Sequence, residues 1–128
     1  MKKLLDIFYS YEMYLSFRKD GKLFVDAESS SKENFEYNNV CKEHANVVEK
    51  YAVCLENFRE TVYKSDNVES MVAFFHDKNV ISECRKKIEA LGGIIVVQMW
   101  DNLEVMSDEA GKGKALVSLA ESLGLSAD

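Results

Sequence analysis

The sequence predicts an α+β domain: a mainly antiparallel sheet with helices packed on one face. Three observations carry that expectation. Met13, Leu15 and Phe17 alternate with Tyr14, Ser16 and Arg18, and this strand pattern runs into Asp20-Gly21, a hairpin-turn signal. Far along the chain, the β-rich run Ile94–Met99 leads through Asp101-Asn102 into Leu103–Met106, a second hairpin. Between the two hairpins the apolar residues fall at helical spacing. Helices laid on one side of such a sheet are the economical way to cover its apolar face.

The chain has 128 residues, which suits one domain. A chain of this length buries roughly two-thirds of the surface its unfolded form exposes. With 47% hydrophobic and 30% charged residues it reads as globular rather than disordered. A net charge of −6 argues against a nonspecific nucleic-acid binder, which must neutralise phosphates. No apolar run approaches the ~20 residues of a membrane span. The opening Met1-Lys2-Lys3-Leu4-Leu5 begins like a signal peptide, but Asp6 and the polar residues from Ser10 onward interrupt it. Three widely spaced cysteines, Cys41, Cys54 and Cys84, imply reduced thiols and a cytoplasmic location.

Taken in order, Leu4, Leu5, Phe8 and Tyr11 predict a short amphipathic helix over Lys2–Tyr11. The first hairpin follows, with Leu23–Val25 as its returning strand. Ala27–Glu33 is a polar connection, either a loop or a helix start. Phe35–Lys64 is mostly helical in pattern. Tyr51, Leu55, Phe58 and Val62 form one stripe there, and Val40, Ala45 and Val48 suggest an earlier helix. Ser65-Asp66-Asn67 signals a turn. Ser70–Phe75 reads as a buried strand, and His76–Asn79 as a loop. Val80, Ile81, Cys84, Ile88 and Leu91 predict a helix stopped by Gly92-Gly93. The second hairpin follows.

Lys112-Gly113-Lys114-Ala115-Leu116 then opens a last helix, with a stripe at Ala115, Leu116, Leu119, Ala120 and Leu123. Two lysines in a first turn oppose the helix dipole, so an anion bound there explains them better than helix stability does.

Leu103-Glu104-Val105, Lys112-Gly113-Lys114-Ala115-Leu116 and Leu123-Gly124-Leu125 together resemble the Cof-type branch of the haloacid dehalogenase superfamily. There a Leu-Glu-Ile strand precedes a lysine, Gly-x-Ala-Leu and a helix. Ser107 stands where that family often has proline, and Gly111 where it often has a capping residue. The order of elements resembles the family's large cap, which is inserted into a Rossmann-like catalytic core of the same polypeptide. The resemblance implies a single α+β unit over 1–128, cap-like over 1–106 with a lysine-motif segment over 107–128. It makes Lys112 the catalytic candidate, stabilising charge on a transferring phosphoryl group, and Lys114 a plain surface residue.

The resemblance further implies an enzyme that uses magnesium on small phosphorylated metabolites, such as sugar phosphates or nucleotides. Its family attacks phosphorus with the first aspartate of an Asp-x-Asp motif. A late Gly-Asp-x-x-x-Asp motif helps hold magnesium. Neither motif occurs here. Arg18 stands where the nucleophile would precede Asp20-Gly21, and that pair reads as a hairpin turn. The sequence therefore reads as the cap of a larger hydrolase with its lysine helix, inactive alone. The alternative is a standalone, non-enzymatic α+β ligand-binding or interaction module.

Other residues point to ordinary roles. Cys41-x-x-His44 has metal-ligand spacing, but no second pair completes a site, and a helical surface pair is the simpler reading. Cys54 and Cys84 fall in apolar patterns and read as core thiols. His76 reads as a loop histidine and Ser29-Ser30-Ser31 as a loop. Asp108-Glu109 either binds a cation or favours the following helix N-terminus. Trp100 either contacts substrate at the edge of a hairpin or packs.

Overall fold

The structure is a computed structural model that describes residues 2–99 and 101–107. The lysine-motif helix expected over 112–123 lies outside the described residues. So do Trp100 and Asp108-Glu109.

The first helix, α1 (Lys2–Phe8), buries Leu4, Leu5 and Phe8. It ends short of the expected Tyr11. The Ser10 hydroxyl donates to the Ile7 carbonyl at 2.6 Å and competes for the final turn. The first hairpin joins β1 (Met13–Lys19) to β2 (Lys22–Asp26). Its two turn residues, Asp20 and Gly21, have φ of 54° and 74°. Two positive φ values give the tight turn whose twist matches the flanking strands.

The polar connection ends in a helix cap. Ser31 Oγ accepts from the Asn34 backbone N–H at 3.3 Å and starts α2 (Lys32–Tyr37). Helix α3 (Lys42–Tyr51) follows. Here the structure corrects the expected helical stripe. Ala52 is extended, and Val53–Leu55 forms a short strand, β3, parallel to β2. Tyr51 is 75% exposed and belongs to no apolar face. Leu55 joins the core from β3, while Phe58 and Val62 reach it from α4 (Phe58–Lys64).

Strand β4 (Ser70–Phe75) lies where the apolar run placed it, in mid-sheet and buried. A short 3-10 turn, Lys78–Val80, takes the end of the expected loop together with Val80, the residue expected to begin the next helix. Helix α5 (Ile81–Glu89) then buries Ile81, Cys84 and Ile88, and Gly92-Gly93 follows at positive φ. The second hairpin pairs β5 (Ile94–Gln98) with β6 (Asn102–Ser107).

The strands form one sheet in the order β3-β2-β1-β4-β6-β5, antiparallel except for the β2–β3 pair. The α+β class and the mainly antiparallel sheet are as expected. The helices, however, occupy both faces. Helices α1, α4 and α5 cover Leu15, Phe17, Met71, Ala73, Phe75, Leu103 and Val105 on the first face. Alternation turns Tyr14, Leu23, Val25 and Phe74 to the second face, where Phe35, Val40, Val47 and Val48 from the α2–α3 region pack on them. Strands β1, β2 and β4 are apolar on both sides, so a one-sided helical layer would leave large side chains in water.

Candidate functional site: a cleft on the second sheet face

The α2–α3 layer covers only part of the second face. Between α3 and the β5–β6 hairpin lies a cleft of about 310 Å³, within the size range of small-molecule sites. Strand period and sheet order bring its polar groups together. Ser16 and Arg18 come from alternate positions of β1, Asn102 and Glu104 from alternate positions of β6, and His44 from the first turn of α3. Val47, Val72, Phe74, Val97 and Met99 supply apolar walls.

His44 is the best-defined polar group of the cleft. Its ring lies 4.8 Å from the Phe74 ring and 6.4 Å from that of Tyr14. Nε2 faces the buried Ser16 hydroxyl across a long hydrogen bond of 3.5 Å. Burial, and then the positive charge of Arg18, lower the imidazole pKa to about 4. His44 is therefore neutral at neutral pH, one ring nitrogen donating and the other accepting. Burial raises the half-buried Cys41 thiol, which disfavours the thiolate a metal would need.

Cys41 and His44, both half-buried, line the cleft at the start of α3. Among the described residues no three His, Cys, Asp or Glu side chains gather to hold a metal. The described residues therefore do not fit a magnesium ion. Cys84 is a core thiol, as expected, whereas Cys54 is exposed on the edge strand β3. His76 sits in the loop after β4, stacked on Tyr37 at 3.8 Å. The serine run is more than a loop: Ser31 caps α2, and Ser30 Oγ lies 2.7 Å from the Tyr14 hydroxyl.

A larger cavity of about 690 Å³ opens where β4 begins and β6 ends. Its lining is mostly apolar, with Lys2, Lys3 and Ser70 as its polar side chains. Size alone does not make it the chemical site, because the smaller cleft gathers more polar groups of several kinds.

The residues that sequence reasoning passed over are Ser16, Arg18, Asn102 and Glu104. Their signal was a polar side chain in every second position of otherwise apolar strands. Nothing local linked them to His44.

The model of the haloacid dehalogenase-like hydrolase family matches residues 1–128. The chain belongs to the haloacid dehalogenase-like hydrolases. Solved structures of this fold agree. A haloacid dehalogenase-like hydrolase from B. subtilis superposes with a TM-score of 0.59 at 18% identity, over 98% of this chain and 50% of that one. A Thermotoga maritima protein gives 0.61 at 16% identity, over 96% and 43%. A sugar phosphatase of HAD subclass IIB gives 0.54 at 12% identity, over 97% and 43%. The chain thus spans half or less of the length of these relatives. None of the curated proteins matches it in sequence. Among the described residues no helix is long and apolar enough to cross a membrane.

Proposed function

We propose that the chain is the substrate-selecting cap of a Cof-type, magnesium-dependent phosphatase of small phosphorylated metabolites. In this reading residues 1–106 form the cap, and 107–128 return the polypeptide to a Rossmann-like catalytic core, carrying Lys112. The enzyme works in the cytoplasm, as its unpaired cysteines suggest. The observation that carries the reading is the second sheet face, which α2 and α3 cover only in part among the described residues. A chain spanning half or less of its relatives presents there a cleft with polar groups on a rigid sheet. A cap needs such a surface. Closed over a core, it excludes water and orients the leaving group.

Lys112 is assigned charge stabilisation at the phosphoryl group, on the strength of its motif. A protonated lysine cannot attack phosphorus, so the nucleophile must come from the core. The coding sequence on either side of this stretch should contain Asp-x-Asp upstream and Gly-Asp-x-x-x-Asp downstream. In the intact enzyme Lys112→Ala should cut kcat by roughly a hundredfold or more, the loss typical of a transition-state donor. Lys114→Ala should change it by less than roughly threefold. Equal effects of the two substitutions, or flanks without either motif, contradict this reading. In the second case a standalone binding module remains.

A further inference from the structure

We propose that residues 31–51 form a flap over the cleft, pinned shut by a polar latch of Glu12, Tyr37, Asn39 and His76, and that releasing this latch opens the cleft. The flap is independent of the cap reading; under that reading it controls how a leaving group reaches the cleft.

Helices α2 and α3 are held to the sheet by little apolar burial. Of residues 31–51 only Asn38 and Val48 are buried. Helix α5 buries Ile81, Cys84 and Ile88 on the first face, whereas α3, of similar length, buries Val48 alone and α2 buries nothing. The main apolar tie of α2 is half-buried Phe35, edge-on to Tyr14 at 5.1 Å. Segments with few buried contacts open locally at less cost than the core does. Both ends of this one are fixed. At its entry Ser30 Oγ donates to the Asp26 carbonyl at 2.7 Å. At its exit Ala52 is extended and leads into β3, which pairs with β2. The flap therefore lifts between two fixed points.

The remaining contacts of the α2–α3 junction are polar and gathered in one place. The Tyr37 hydroxyl donates to Glu12 Oε2 at 2.7 Å, and the Tyr37 ring stacks on His76 with the planes 6° apart. His76 Nδ1 donates to the Tyr37 carbonyl at 2.6 Å, since a carbonyl only accepts. Asn39, at a φ of 59°, donates through Nδ2 to the carbonyls of Phe75 and His76 at 2.8 and 3.0 Å. These bonds tie the junction to the start of β1 and the end of β4. One group opposes them. Asn38 Oδ1 is buried with no hydrogen-bond partner among the described residues, a cost of closure that opening to water removes. Beneath the flap Cys41, His44 and Val47 line the cleft, so lifting α3 uncovers them.

Cys41 reports on the flap and buried Cys84 on the core, so thiol labelling of the native protein tests the device. Tyr37→Phe removes the bond to Glu12 and keeps the ring stack; Tyr37 is exposed, so the core is spared. Asn39→Gly removes both amide bonds and keeps a residue suited to positive φ. Each substitution should speed labelling of Cys41 by iodoacetamide roughly threefold or more, and the pair together more than either alone. Cys84 should keep its wild-type protection. An unchanged Cys41 rate in both variants would show that the latch holds nothing. Labelling of Cys84 in step with Cys41 would show that both thiols are reached by global unfolding. Either result overturns the flap, and neither touches the cap reading, which Lys112 tests.

Discussion

Buried titratable side chains have consequences that can be measured one residue at a time. The His44 pKa is lowered from 6.5 to about 4 by burial and by Arg18. Between those values the unfolded chain binds the proton and the folded chain does not. Stability therefore rises with pH across that window. The contribution is complete above about pH 6.5 and is lost as pH falls toward about 4, a change of roughly 3 kcal/mol at most. Urea unfolding should show the midpoint rising between those pH values, and His44→Leu should flatten that rise. A variant with the wild-type slope would mean that His44 is solvated. The thiols make a second prediction. Burial pushes Cys84 up to about 12, whereas Cys54 is exposed. A thiol reagent should modify native Cys54 first, Cys41 more slowly, and Cys84 only after unfolding. Mass spectrometry under native conditions would detect early modification of Cys84, which the packing forbids.

Elements with strong local signals were legible in the sequence. Asp20-Gly21 is the plainest case. Nothing lies within 4 Å of a Cβ built at Gly21. The cost of Gly21→Ala is therefore purely that of φ at +74°, roughly 1–2 kcal/mol. Denaturant unfolding should show that loss; no loss would mean that the turn differs from the one described. Strand β4 and helix α5 were equally plain, because a continuous apolar run and a glycine stop are written locally. Strand β3 was not. Three residues are too few to show a period, and Tyr51, Leu55, Phe58 and Val62 happen to fall at helical spacing. What fixes β3 is a partner distant in the chain, Phe24–Asp26 of β2. The second helical layer escaped for a related reason: the alternation of β1 did not reveal that Tyr14 would need cover as much as Leu15 does. The cleft was legible only in pieces, since Ser16 and His44 meet through the docking of α3 on the sheet.

At the scale of the whole molecule, membership in the haloacid dehalogenase-like hydrolases and a coverage of half or less of related chains frame the proposal of a cap. The described sheet has a continuous core on its first face and a second cluster under α2 and α3. Such a body should fold without a core domain beside it. Its chemistry should not stand alone, because the sequence holds no Asp-x-Asp nucleophile and no three metal-ligating side chains gather among the described residues. The most direct measurement is an assay of the purified 128-residue chain with magnesium and an aryl phosphate, beside a mock purification. Circular dichroism and a cooperative unfolding transition would establish that the chain is folded. The account predicts a folded chain with turnover no greater than the mock. Magnesium-dependent turnover that follows the chain through purification, and disappears on substituting one of its own residues, would contradict it.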